Sequence, residues 1–213
     1  MHHATTAKRI LSVCLAASCC LPATSASAAD TLAKIRDSRT ITIAHREASV
    51  PFSYYDAGKK LIGYAVDLCV KIADAVRREL KLDRLNVDYL AVTPSTRIPA
   101  IMDGKADLEC GSTTNNAERR KQVAFTIPHF FAAARMVVRT DSGIANCSDL
   151  RDKQVVTTKG TTIVKLLIER DKVRALSLKL IEGRDHAESS TMAKSLSSMA
   201  NGLKPRSRPK EST

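Results

Sequence analysis

The stretch Asp107–Pro128, DLECGSTTNNAERRKQVAFTIP, is the most informative part of this 213-residue chain. It reads as a strand, a hydroxyl-rich turn and a short helical turn. Gly111 lets the backbone approach a ligand closely, and Ser112 and Thr114 offer hydroxyls beside backbone N–H groups suited to an anion. Arg119 adds a planar charged fork that fits a carboxylate. The pattern predicts a site for a small anionic group without a nucleophile–base pair, with a polar loop and a solvated arginine as the alternative.

Alternating strands and helices surround this stretch. Periodicity predicts strands at 40–45, 86–92, 106–110, 153–158 and 178–181, and helices at 65–80, 98–104 and 163–171. A hydrophobic run at 129–139 is interpreted as a strand that leads into a second lobe. This order indicates an α/β fold with a largely parallel sheet, in which ligands bind at the carboxyl ends of the strands.

The N-terminus has the pattern of a secretory signal. Lys8 and Arg9 precede a short apolar core, and Ala26–Ala28 supplies a small-residue cleavage site, so residues 1–29 are predicted to be a signal peptide. The apolar core is shorter than the ~20 residues that a membrane span needs. Lipid anchoring at Cys19 is the alternative processing route.

Beyond the signal, the chain keeps three cysteines, an odd number for a chain predicted to enter an oxidising compartment. Cys69 falls on the apolar face of a helix and is predicted to be buried. Whether Cys110 is disulfide-bonded stays open in the sequence, and an unpaired Cys110 would mean that its partner is missing from this chain. Cys147 is the third cysteine. Since no CxxC or Cys/His spacing occurs, the sequence predicts no metal site.

The formal net charge of +12 favours acidic ligands, although solubility alone also explains it. Residues 190–213 show no strand pattern and are rich in Ser, Lys, Arg and Pro. This composition predicts a basic, disordered tail. A nucleic-acid-binding arm is disfavoured because the tail lacks aromatic residues for stacking and follows a secretory signal.

Several motifs occur together in one order: Arg46–Tyr54 (REASVPFSY), Gly63-Tyr64 with Asp67, Arg97–Pro99 (RIP), Glu109–Asn116 (ECGSTTNN) with Glu118-Arg119, Gly160–Thr162 (GTT) and Asp185-His186. In this order they resemble the extracellular solute-binding proteins of polar amino-acid ABC transporters, bacterial family 3, in the glutamate/aspartate-binding branch. The resemblance covers roughly residues 31–188.

The resemblance implies a type II periplasmic-binding-protein fold, with two α/β lobes that close over an amino acid. Residues 30–134 would form the first lobe and 135–189 part of the second. The implied function is that of a monomeric periplasmic protein, not an enzyme and without a cofactor, which binds glutamate or aspartate and delivers it to a membrane permease.

Two groups of ligand-binding residues follow from the resemblance. Arg119, Ser112 and Thr114 correspond to the group that holds the ligand's α-carboxylate. Thr162 would help from the second lobe.

Arg46 and Arg97 correspond to the cationic partners of the side-chain carboxylate, and His186 joins them from the second lobe. Three arginines around one cleft suit a dicarboxylate, because a neutral ligand would leave a desolvated charge unpaired.

The chain also departs from the family pattern. The resemblance is expected to end near Ser189, where members continue with a helix and with a strand whose aspartate binds the α-amino group, so a truncated second lobe is expected. Pro94 replaces the small polar residue expected in its loop. Two alternatives stay open: a periplasmic enzyme on the same fold, such as a dehydratase, with Glu47 and Glu109 as candidates by position only, or a nonfunctional fragment.

Overall fold

The structure, a computed structural model, describes residues 28–202. The helices are α1 (Ala28–Ser38), α2 (Tyr64–Glu79), α3 (Arg97–Met102), α4 (Thr162–Arg174) and α5 (His186–Gly202). The strands are β1 (Thr40–His45), β2 (Ala48–Ser49), β3 (Ser53–Tyr55), β4 (Leu61–Ile62), β5 (Asn86–Ala91), β6 (Leu108–Cys110), β7 (Gln154–Thr158) and β8 (Lys179–Gly183). The predicted signal peptide, apart from its last two residues, and residues 203–213 lie outside the described residues.

The first sheet contains three parallel strands in the order β5-β1-β6. Central β1 is flanked on both sides, and its Ile41 and Ile43 are almost completely buried against α2. Ala44 points to the other face, where it packs with Ala100 of α3, as the alternation of a strand requires. Because all three strands run the same way, the loops that follow them meet at one edge of the sheet.

A disulfide joins α2 to β6 behind that edge. Cys69 and Cys110 are bonded, with their Cα atoms 6.3 Å apart. The question that the sequence left open is thus answered, and the partner of Cys110 lies within this chain. The sequence pattern placed Cys69 on the buried face of α2, where the packing of the helix on the sheet brings it against β6; Cys147 is free.

Strands β2, β3 and β4 form a small antiparallel sheet that the sequence did not predict. These strands have two or three residues each, too short to show a period of their own. The sheet follows β1 directly and folds the loop that carries Arg46 back over the carboxyl edge.

The second sheet consists of the parallel strands β7 and β8, with α4 between them in sequence. Helix α5 packs against both strands. Two apolar side chains of this part, Leu150 and Leu176, are buried. The division at residues 134 and 135 stays a prediction, and the two sheets lie on either side of it in sequence.

Two sequence predictions after residue 128 are wrong. The run 129–139 forms no strand, and within it Phe131 and Val137 are exposed. Helix α5 extends through residue 202, so residues 190–202 of the predicted disordered tail are helical. Composition misled the second prediction, because these residues continue a helix whose first turn contacts β7 through Ser189. No helix within 28–202 is long and apolar enough to span a membrane.

Candidate ligand-binding cleft

Two buried arginines occupy the carboxyl edge of the first sheet. Arg46 follows β1, and Arg97 opens α3 after the loop that leaves β5. Their exposed fractions are 1% and 2%. Both terminal nitrogens of Arg46, and Nε and Nη1 of Arg97, are buried without a hydrogen-bond partner. Buried, unpaired cations are costly, so this edge of the sheet is built to receive negative charge.

The backbone of Arg46 is fixed by Ser53 of β3. The Arg46 N–H donates to the Ser53 hydroxyl at 2.9 Å, and that hydroxyl donates to the Arg46 carbonyl at 3.0 Å. Ser53 is completely buried. The small antiparallel sheet thus anchors the main chain of Arg46 while leaving its guanidinium nitrogens unbonded.

Burial is the largest influence on the pKa values of the three arginines. It lowers the pKa of Arg97 to about 10, with Glu109 opposing this shift and Arg119 and Arg46 adding to it. Burial likewise lowers the pKa values of Arg46 and Arg119, and the carboxylate of Glu109 opposes both shifts. All three side chains stay positively charged at neutral pH, so the cleft is a concentrated cationic site.

Arg119 links the first sheet to the second. Its Nη1 donates to the Thr114 carbonyl at 3.0 Å, and its Nη2 donates to the Gly160 carbonyl at 3.2 Å. Beside this contact, Lys165 of α4 forms an ion pair with Glu118, with 2.6 Å from Nζ to Oε1. The turn before α4 is therefore held against the turn after β6.

Gly160 also lies very close to the loop between β5 and α3. It has φ +75°, and a Cβ on it would lie 2.6 Å from the Ser95 hydroxyl and 2.8 Å from the Pro94 carbonyl carbon. Only glycine fits such an approach without displacing backbone. Pro94, the departure noted in the sequence, lies at this contact.

His186 begins α5 and faces the cleft from the second sheet. Its Nδ1 is 3.1 Å from the Thr158 hydroxyl at the end of β7. Burial lowers the pKa of His186, Arg46 and Arg97 lower it further, and Asp185 opposes them. Burial and the two arginines therefore disfavour the protonated form of this imidazole.

The remaining predicted site residues are placed less tightly. The Ser112 hydroxyl shares a hydrogen bond of 2.9 Å with Ser49 of β2. Thr114 contributes its backbone carbonyl to Arg119. Thr162 is the first residue of α4, two positions after the glycine that Arg119 contacts. The structure thus brings Arg46, Arg97, Arg119 and His186 into one electrostatic group and leaves Thr162 at its margin.

Sequence reasoning underrated Glu109 and missed Thr158. The sequence offers Glu109 only as a candidate by position, yet its Oε1 lies 4.0 Å from Arg97 Nη1 and is buried without a hydrogen bond. Thr158 at the end of β7 orients His186. The available signal was position, since both residues stand at the carboxyl ends of parallel strands.

Within the described residues, no group of three His, Cys, Asp or Glu side chains could hold a metal ion. The chemistry that the cleft offers is charge and hydrogen-bond donation, from guanidinium nitrogens, hydroxyls and one imidazole. Such donors suit carboxylates, which accept two parallel bonds from an arginine.

Comparison with known proteins points the same way. The family described as bacterial extracellular solute-binding proteins, family 3, matches residues 41–204. The chain is 45% identical to the L-glutamate/L-aspartate-binding protein of Pseudomonas aeruginosa over 78% of its length and 55% of that protein. It is 40% identical to the glutamate/aspartate import solute-binding protein of Escherichia coli, over 76% of its length and 54% of that protein. The chain therefore spans about half the length of these curated relatives.

Solved structures share the fold. A solute receptor for L-cysteine from Neisseria gonorrhoeae superposes with a TM-score of 0.69 at 23% identity, over 78% of this chain and 64% of that one. An ancestral amino acid-binding protein, a precursor of cyclohexadienyl dehydratase, gives 0.64 at 27% identity, over 78% and 70%. The expected α/β fold of the type II binding proteins is confirmed.

The family match also corrects one expectation. It extends to residue 204, so the likeness does not end near Ser189. Helix α5 lies inside the matched range.

Proposed function

This chain belongs to the bacterial extracellular solute-binding proteins of family 3, and from that membership we propose that it binds glutamate or aspartate for import by an ABC transporter. Binding would take place outside the cytoplasm, after removal of the signal peptide. The chain would act as a monomer and deliver its ligand to a membrane permease. Relatives at 40% identity and above are named for glutamate and aspartate, which supports this choice of ligand.

The observation that carries the proposal is the set of unbonded guanidinium nitrogens on Arg46 and Arg97. A ligand carboxylate between them would supply the missing acceptors and the missing negative charge at once. Glutamine would offer a neutral amide to the same nitrogens and leave a buried charge uncompensated. The cleft therefore favours a second carboxylate on the ligand.

We assign the α-carboxylate to the turn after β6. Arg119 is held there by the Thr114 and Gly160 carbonyls, and the Ser112 hydroxyl lies in the same turn. Thr162 would add a hydroxyl at the start of α4. The side-chain carboxylate would lie between Arg46 and Arg97, with His186 on the far side.

The contacts between the two sheets suggest how capture proceeds. Arg119 to Gly160 and Glu118 to Lys165 join segments that belong to different sheets. Separation of these contacts would admit the ligand, and their formation would enclose it, as in hinge closure around other small ligands. An enzymatic function gains no comparable support, since the named relatives are binding proteins.

Calorimetry on the full chain tests the proposal. Glutamate and aspartate should bind, and glutamine and arginine should bind at least about tenfold more weakly, because an unmatched buried charge costs more than 1.4 kcal/mol. Equal affinity for all four ligands, or no binding of either acid, would reject it.

A matched pair of variants locates the site. Arg119→Met should weaken glutamate binding at least about thirtyfold, as expected when one partner of a buried charge pair is removed. Arg120→Met changes the exposed neighbour and should leave affinity unchanged. Similar losses in both variants would place the ligand elsewhere.

A further inference from the structure

We propose that Glu109 is a specificity-determining residue of this cleft, an internal counter-ion that leaves the arginine cluster with a net charge of +2. The inference rests on the proposed function, and it names the residue that sets how strongly the cleft prefers a second ligand carboxylate over a neutral group. Glu109 itself touches no ligand in this scheme; it acts through the arginines.

Glu109 is placed for this role by the alternation of β6. Its neighbours Leu108 and Cys110 pack into the core behind the sheet, so the Glu109 side chain points to the opposite face. There it is 12% exposed, and the adjacent Arg97 side chain is 3% exposed. Gly111 leaves room for it, because a Cβ at 111 would lie 2.7 Å from Glu109 Oε1 and 3.0 Å from Arg46 Cγ.

The distance from Glu109 to Arg97 decides what the carboxylate does. At 4.0 Å, Oε1 and Nη1 are too far apart for a hydrogen bond but close enough for strong attraction in a buried site. Glu109 therefore reduces the cost of burying the cations without occupying their donors. The nitrogens of Arg46 and Arg97 stay available to a ligand.

Other acids near the cluster have partners of their own. Asp185 accepts the Glu188 backbone N–H at 3.0 Å and lies 3.6 Å from Arg184, and Glu118 is paired with Lys165. Glu109 is also the carboxylate that opposes the pKa shifts of all three arginines. Three arginines and Glu109 give a net charge of +2, the complement of two carboxylates.

The test compares glutamate with glutamine in calorimetry on wild type and Glu109→Gln. Removal of the negative charge raises the attraction for the second carboxylate, so the ratio of the glutamine Kd to the glutamate Kd should rise at least about tenfold. A residue with only a structural role would weaken both ligands alike and leave the ratio unchanged. Glu79→Gln, at an exposed position that ends α2, is the control and should leave the ratio unchanged.

A stability cycle without ligand separates this inference from the proposed function. Glu109→Gln should lower the Tm when Arg97 is present and lower it much less beside Arg97→Gln, because the uncompensated charge has gone. If the single variant fails to fold and the double variant folds, the counter-ion role stands. Additive losses, failure of both variants to fold, or a ratio within twofold of wild type overturns the inference, whereas absence of glutamate binding in wild type rejects the proposed function.

Discussion

The first sheet contains the core of the described residues, and the second sheet contains little of it. All three buried apolar clusters lie between residues 35 and 110, around β1 and α2. Helix α4 beside the second sheet has no buried residue. The two buried arginines stand on the well-packed side, while His186 and Thr162 stand on the other. The cationic half of the cleft is therefore preformed, and the second sheet is joined to it by a few polar contacts.

The largest expected effect comes from replacing isoleucine by alanine once beside each sheet. Ile43→Ala, at a completely buried position of β1, should cost about 2–5 kcal/mol of unfolding free energy through lost burial and a cavity. Ile168→Ala, at a 53% exposed position of α4, should cost less than about 1 kcal/mol. Urea unfolding measures both values. Equal costs would show that the second sheet is packed as well as the first.

The disulfide also stabilises the first sheet, because it joins α2 to β6. Replacing Cys69 and Cys110 together by Ala should cost about 2–4 kcal/mol, since the bond closes a long loop in the unfolded chain. Cys147→Ala removes the free thiol beside the second sheet and should change little. A thermal melt without reductant gives both numbers, and loss of stability confined to Cys147→Ala would reverse the contrast.

Lowering the pH should reveal a smaller contribution to stability from one histidine beside each sheet. Burial lowers the pKa of His45 in β1 and of His186 in α5 below the value of about 6.5 in an unfolded chain. The unfolded state then binds protons that the folded state refuses, so stability falls as the pH drops below about 6.5 and is complete above it. His45→Gln and His186→Gln should each flatten the curve of unfolding free energy between pH 7 and 5. Unchanged slopes in both variants would exclude these histidines as its cause.

The smallest effect concerns the ion pair between the sheets. Lys165→Ala removes the partner of Glu118 and should leave the Tm of the unliganded chain unchanged, because exposed pairs contribute little. Glutamate affinity should fall by no more than about fivefold, through faster dissociation of the closed form. Lys172→Ala, later on α4, is the control. A large loss of Tm would make this pair structural.

Sequence patterns predicted the longer elements of the first sheet, β1 and α2, well. The strand predicted at 40–45 is β1 residue for residue, and the helix predicted at 65–80 is α2 within one residue at each end. Both are long enough to show their own period. The disulfide, the two-residue strands and α5 depend on segments distant in sequence, which no local period records. For the site, the resemblance predicts the arginines, but the proximity of Glu109 to Arg97 depends on how β6 packs beside α3 and is not recorded in any local pattern.

Gly160 carries a consequence for anyone who maps tolerance to mutation in this chain. Its surface is exposed, and an exposure map would mark it as freely replaceable. The clearance at Ser95 forbids even one added methyl group. Alanine at position 160 would push the turn before α4 away from Ser95 and so separate the two sheets, while each sheet stays folded. A growth-based mutational scan should therefore score position 160 among the intolerant positions.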